Sequence, residues 1–250
     1  MELKDTVALV TGGSGGLGRR ICHKLASEGI HIAVMYSRSK KEAENVALEI
    51  SSLYQVKAFA FNCDIGVASE VDQVVNLVIE QMGRLDILVN DAAYNKSIPF
   101  NDLESLTEEE WGKIMAINLT GPMLLTKAAA PFLAAQGQGR VVNISSVAGL
   151  APTGSSIAYA VAKAGLTHMT RCLAVAMAPE VLVNCVAPGL LEGTRATANL
   201  CKEQIDRSVS SSLLKMPADK DDCADMVITM CRSNTMTGQT IVIDAGRVFH

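Results

Sequence analysis

The chain has no excess of positive charge. Its 22 Lys and Arg stand against 26 Asp and Glu, a net charge of −4, which gives no electrostatic case for nucleic acid or an anionic membrane surface. It also has no long apolar run. The most apolar stretch, near Cys172 to Leu191, is broken by Pro179, Glu180, Asn184 and Pro188, which argues against a membrane span. Glu2, Lys4 and Asp5 crowd the start and no apolar h-region follows, so no secretory signal is expected. The seven cysteines show neither a CxxC pair nor metal-ligand spacing. Their odd number and scatter predict reduced, mostly core thiols in a cytoplasmic protein. The four histidines do not cluster, so no metal site is indicated. There is no Pro/Gly/Ser linker, no charge run and no internal repeat. The 250 residues could make one α/β domain or two smaller ones; the missing linker favours a single domain over 1–250.

What is present alternates. Short apolar, β-branched runs at 6–11, 31–36, 57–62, 86–90, 140–145, 182–187 and 239–243 read as strands. Helical patterns fall between them at 16–28, 40–53, 67–82, 107–135, 157–178 and 220–232. This βαβ rhythm predicts an α/β fold, a doubly wound parallel sheet of about seven strands with helices on both faces. One long stretch, 190–216, is left without a clear element. It leaves the carboxyl end of a strand, the edge where open α/β sheets bind ligands, and is read as a substrate lid.

Two motifs carry chemistry. Thr11-Gly12-Gly13-Ser14-Gly15-Gly16-Leu17-Gly18 lies between the first strand and the first helix. A glycine-rich turn into a helix N-terminus offers backbone N–H groups and a favourable dipole to a pyrophosphate, which points to a dinucleotide. Tyr159 and Lys163 lie four residues apart, about one helical turn, which puts a phenol and an ammonium on one face. The cation is expected to lower the phenol pKa from its usual value of about 10 and make it a usable acid or base.

In motif order and length the chain resembles the short-chain dehydrogenase/reductase family in its single-domain form, from Val7 to the C-terminus. It is similar to 3-oxoacyl-[acyl-carrier-protein] reductases among others. The resemblance rests on the glycine loop, on Asn90-Asp91-Ala92-Ala93 after the fourth strand, on Ser146, Tyr159 and Lys163 with Asn118 completing a tetrad, and on Pro188-Gly189 after the sixth strand. It implies a Rossmann fold and catalytic roles for Asn118, Ser146, Tyr159 and Lys163. Tyr159 would pass a proton to or from the substrate oxygen, Lys163 would lower the Tyr159 pKa and bond the nicotinamide ribose, Ser146 would hold the substrate oxygen, and Asn118 would hold a water leading from Lys163. Ser145 reads instead as a hydroxyl satisfied by backbone. The implied cofactor contacts are Gly12, Ser14, Gly15, Gly16, Leu17 and Gly18; Cys63, Asp64 and Ile65; Asn90 and Ala92; and Pro188, Gly189, Leu191 and Thr194, besides Tyr159 and Lys163. Asp64 equally fits a cap for the helix that follows. The sequence departs from the family at Asp91 and Ala93, which replace Asn and Gly, and at Thr194, displaced by one position.

The end of the second strand, Tyr36-Ser37-Arg38-Ser39, has cations and hydroxyls where NAD-preferring members place an acid. Arg38 can fork onto a phosphate with Ser37 and Ser39 as further donors, so NADP(H) is favoured over NAD(H). Tyr94, Asn95, Leu150, Thr153, Leu190, Leu191 and Arg195 are expected to line the substrate pocket, a mainly apolar set that suits a small ketone or secondary alcohol. The expected activity is therefore NADPH-dependent carbonyl reduction by an enzyme of the CH–OH class. A carrier-protein thioester is the alternative substrate, and a nicotinamide-nucleotide sensor without turnover the alternative of another class. The full tetrad argues for catalysis. Surplus apolar faces on helices 107–135 and 157–178 point to a homotetramer or dimer, with Phe249 as a further anchor.

Overall fold

The computed structural model describes residues 1–194, 197, 198, 200 and 202–249, leaving out the side chain of Gln204. β1 (Val7–Thr11) is buried along its whole length, as a strand covered on both faces must be. It pairs in parallel with β2 (His31–Tyr36) on one side and β4 (Ile87–Asn90) on the other. β3 (Ala58–Asn62), β5 (Gly139–Ile144), β6 (Val181–Pro188) and β7 (Thr240–Ile243) complete a seven-stranded parallel sheet of order β3-β2-β1-β4-β5-β6-β7.

The two-residue period of β1 divides the core. Ala8 and Val10 pack with Leu17, Ile21 and Leu25 of α1 (Gly16–Ser27), Val46 and Ile50 of α2 (Lys40–Tyr54), and Val227 of a later helix, Lys220–Arg232. Val7 and Leu9 face the other way. They join Val74 and Val78 of α3 (Ala68–Met82), Leu125 and Leu133 of a helix at Gly121–Ala134, and Leu173 of another at Ile157–Met177. Winding reverses between β1 and β4, so the loops leaving their carboxyl ends part and open a crevice.

Two predicted segments differ from expectation. The helix expected over 107–135 is three pieces: α4 (Glu108–Met115), one π-helical turn at Ala116–Thr120, and α5 (Gly121–Ala134). Pro122 near the start of α5 has no N–H to give, and the wider turn accommodates the interrupted ladder. The expected lid holds a helix, α7 (Lys202–Ser211), whose two apolar residues, Ile205 and Val209, are too few to read as a helix. The helix at Ile157–Met177 is α6 and that at Lys220–Arg232 is α8. Among the described residues six cysteines are free, all but Cys172 buried. No helix among them is long and apolar enough to cross a membrane, and no group of His, Cys, Asp and Glu could hold a metal.

Candidate active site

At the carboxyl edge of the sheet a cavity of about 730 Å³ runs from the glycine loop past β2, β4 and β5 to the base of the lid. At its floor Thr11 Oγ1 accepts the N–H groups of Asp91 (2.9 Å) and Ala92 (2.8 Å), which ties the end of β1 to the end of β4 where the winding reverses. The loop then turns at Gly12, whose φ of 66° favours glycine, and Gly15 is the N-cap of α1. A β-carbon on Gly18 would stand 2.3 Å from the Gly12 carbonyl oxygen, so loop and helix meet only as glycines. The first turn of α1 carries no acid, and apart from the Gly18 N–H, which bonds Asp91, its backbone N–H groups and dipole are left for an anion.

Gly12, Ser14, Gly15, Gly16 and Leu17 line the cavity; Gly18 does not, and serves the packing behind it. Along the β2 side lie Tyr36, Ser37, Arg38 and Ser39, with Ser14 and Ser39 hydroxyls 2.7 Å apart and Arg38 exposed. Cys63, Asp64 and Ile65 also line it. The Asp64 carboxylate accepts Gly66 N–H at 2.9 Å, which makes a turn, while α3 is capped by Val67; the capping reading of Asp64 fails because the helix begins later. These features fit a dinucleotide: a side-chain-free turn at a helix N-terminus, followed by hydroxyls and a cation.

On the β4 side Ala92 lines the cavity, but Asn90 is a correction. Its amide N–H groups are spent inside the protein, donating to Asn143 Oδ1 (2.8 Å) and Thr126 Oγ1 (3.3 Å), with Asn143 donating on to Thr170, while its Oδ1 is buried without a partner. It bridges β4, β5, α5 and α6 rather than meeting the cavity. Asp91 does reach the cavity. Burial pushes its carboxyl up to about 7, while the charge of Lys163 and a hydrogen bond from Gly18 N–H pull it down.

β5 and α6 bring Ser146, Tyr159 and Lys163 to one wall. Ser156 caps α6, its hydroxyl accepting Tyr159 N–H at 3.2 Å. Lys163 is buried, donates to the Ile144 carbonyl at 2.8 Å, and holds its ammonium 5.7 Å from the Tyr159 ring centre. Burial lowers its pKa to about 8, against the charge of Asp91. The expected lowering of the Tyr159 pKa is not found. Burial pushes it up to about 12, a hydrogen bond with Ser146 works against this, and the Asp91 charge adds to it. Desolvation of the phenolate outweighs the nearby ammonium, which is engaged by the β5 carbonyl. Ser145 is satisfied as expected, bonding Lys163 O (2.8 Å) and Thr167 Oγ1 (3.0 Å).

Asn118 does not line the cavity. It is fully buried in the π turn and donates to Tyr94 O (2.6 Å) and Ile114 O (2.8 Å), while its Oδ1 has no partner. A buried acceptor left open at a π turn is the feature a bound water would satisfy.

At the other end Tyr94, Asn95, Thr153, Pro188, Gly189, Leu190, Leu191 and Thr194 line the cavity. The lid is pinned at its base: Thr194 and Thr197 hydroxyls donate to Leu191 O, and Ala218 N–H returns to Leu190 O at 2.9 Å. Leu150 is a second correction. It faces a separate 350 Å³ hollow with Phe100 and Pro152, because the 3₁₀ turn Val147–Gly149 carries it past the cavity. Arg195 lies outside the described residues. Sequence reasoning missed Lys113, Ser155, Ser208 and Arg247, all of which line the cavity. Ser155 Oγ is buried without a partner, and Arg247 reaches in from the segment after β7. Only the proximity of that segment to the lid brings Arg247 there, which no local motif signals.

Comparison with known proteins agrees with this geometry. The chain is 38% identical over 241 residues, 96% of this chain and 95% of the other, to a protein provisionally named ketoacyl reductase 2 of the granaticin polyketide synthase from Streptomyces violaceoruber. It is 34% identical over 247 residues, 98% of both, to 3-oxoacyl-[acyl-carrier-protein] reductase from Synechocystis. The crystal structure of NADPH-dependent 3-quinuclidinone reductase from Rhodotorula rubra superposes with a TM-score of 0.89 over 98% of this chain and 92% of that one; at 24% identity this speaks to the fold alone. The profile of the family described as short chain dehydrogenase matches residues 6–205, and the chain accordingly belongs to the short-chain dehydrogenase/reductase family of oxidoreductases.

Proposed function

We propose that the protein is an NADPH-dependent carbonyl reductase in which Tyr159 is the proton donor. The observation that carries this is the meeting of Ser146, Tyr159 and Lys163 on one wall of the cavity that begins at the glycine loop. Tyr159, neutral as a phenol at physiological pH, has a proton to give to a carbonyl oxygen there. The nicotinamide, when bound, supplies the hydride. Ser146, which hydrogen-bonds the phenol, positions the same oxygen, and Lys163 places a positive charge beside the alkoxide that develops there. Asn118 offers its open Oδ1 to a water on the proton route.

NADP(H) over NAD(H) is supported by what borders the β2 end of the cavity. Arg38 has room to fork onto a 2′-phosphate, the Ser14–Ser39 pair supplies hydroxyls beside it, and no acid stands at Tyr36–Ser39 to repel it. Leu190, Leu191 and Leu200 give the substrate end an apolar wall. The two named relatives favour a 3-oxoacyl substrate as the second reading. The apolar residues Met123, Val161 and Val175, open on α5 and α6, support association into a dimer or tetramer.

The test is titration with NADPH and NADH followed by turnover of a ketone panel at the reduced-nicotinamide band. NADPH is expected to bind more tightly than NADH. Tyr159→Phe is expected to bind NADPH as the parent does and to lose roughly 10²–10⁴ in kcat, the usual worth of a positioned proton donor. A variant that turns over normally removes Tyr159 from the mechanism.

A further inference from the structure

We infer that Arg247 determines substrate specificity by binding a carboxylate on the carbonyl substrate, so that the substrate is a keto acid with an apolar body rather than a neutral ketone. This deepens the carbonyl-reductase reading and rests on it.

Arg247 lines the cavity at its lid end. The chain is forced back toward the cavity just before it: Ala245 and Gly246 have φ of 58° and 75°, and Ala245 is in a region a residue with a side chain seldom enters. The Asp244 carboxylate fixes this turn by accepting the N–H groups of Gly246 (2.9 Å) and Val248 (2.7 Å). Backbone bonds from Leu213 to Gly246 O and from Leu214 to Ala245 O, each 3.1 Å, join the turn to the end of the lid. The position of Arg247 is thus held by backbone and side-chain bonds around it.

Its guanidinium, however, is only lightly engaged. It donates to Ser208 Oγ of α7 at 3.1 Å and to Thr153 Oγ1 at 3.4 Å, both neutral hydroxyls. Among the described residues no carboxylate pairs with it. A guanidinium has five N–H donors in a planar fork, so several remain for a bidentate oxyanion. Of the other cations lining the cavity, Lys113 holds its ammonium 4.3 Å over the Tyr94 ring and beside Glu110, Lys163 donates to the Ile144 carbonyl, and Arg38 lies at the β2 end.

The placement also relates the two ends of a substrate. Thr153 bonds Arg247, and the next residue, Gly154, adjoins the acid: a β-carbon there would be 3.5 Å from Tyr159 Cδ1. One substrate can therefore set its carbonyl at Tyr159 and an acid group at Arg247, with Leu190 and Leu200 along its body. Partial burial strengthens the charge–charge contact relative to open water.

The test compares matched substrates: aliphatic keto acids of increasing chain length, their methyl esters, and a ketone carrying a phosphate, each with NADPH. The parent protein is expected to favour the best acid over its ester by about 10–100-fold in kcat/KM, in keeping with a charge-assisted bidentate pair. Arg247→Gln is expected to bring the acid down to the level of its ester, leaving the ester rate and NADPH affinity unchanged, and Arg247→Lys to recover part of the preference. Equal turnover of acid and ester by the parent overturns the proposal. So does a phosphate preferred over every carboxylate, or an Arg247→Gln loss that falls equally on acid and ester. Binding of the same acids to the NADP⁺-loaded protein separates this from the reductase reading. Acids that bind the parent about 10-fold or more tighter than Arg247→Gln, without turnover of any ketone, uphold the Arg247 site and remove the hydride-transfer reading. Acids that show neither preference overturn the Arg247 site alone, whatever the esters do.

Discussion

Asp91 stands where the family resemblance expects Asn, and its surroundings give the departure a measurable consequence. Burial raises its pKa to about 7, from an unfolded value of about 3.9. Between those values the folded protein keeps a proton that the unfolded chain has released. The stability tied to that proton is fully present below about pH 4 and is lost as pH rises through about 7, at most about 4 kcal/mol over the window. Urea midpoints measured from pH 5 to 8 are expected to fall for the parent by more than for Asp91→Asn. Parallel curves would show that Asp91 titrates as an ordinary surface acid. Single residues differ in how plainly their sequence announces them. Tyr159 and Lys163 were legible because one helical turn fixes their relation. Arg247 was not, because its place depends on the turn at Ala245–Gly246 and on contact with a lid more than thirty residues earlier. Asn90 misled, since the motif names a position but not which of its neighbours takes its amide. That neighbour, Asn143, sits beside it only through the β4–β5 register.

Among the elements, strands were the most legible, since unbroken apolar runs have few other uses in a parallel sheet. Helix ends depend on caps. Ser156 is fully buried, caps α6 and holds the backbone of Tyr159, so the cap joins fold to site. Ser156→Ala is expected to cost about 1 kcal/mol of stability, the usual worth of such a cap. It should also lower kcat more than it weakens NADPH binding, because it loosens the first turn on which the acid stands. A variant with unchanged urea midpoint would show that the bond adds nothing to the helix. The π turn at Ala116–Thr120 and the polar helix α7 escaped sequence reading for opposite reasons. The first keeps a nearly helical apolar pattern while its hydrogen bonding changes; the second has only Ile205 and Val209 to mark its apolar face.

On the scale of the molecule, the apolar surface left open on α5 and α6 predicts self-association. Static light scattering is expected to give two or four times 26.5 kDa for the parent. Replacing Val161 and Val175, which are 42% and 84% exposed, with Asp should lower it toward the single-chain mass. A parent that scatters as one chain would leave those faces without the proposed role. The strand order has a consequence of another kind, for the time course of synthesis. The first three strands made pair as β3-β2-β1; β4 then joins at the opposite margin, beside β1, and β5, β6 and β7 each join beside the strand made before it. From β4 on the sheet therefore lengthens at one margin in chain order, and that margin is an unpaired, mostly apolar strand at each stage. A chain stopped before residue 240 leaves β6 in that condition, and its expected fate is sticking to its neighbours rather than a selective loss of one activity.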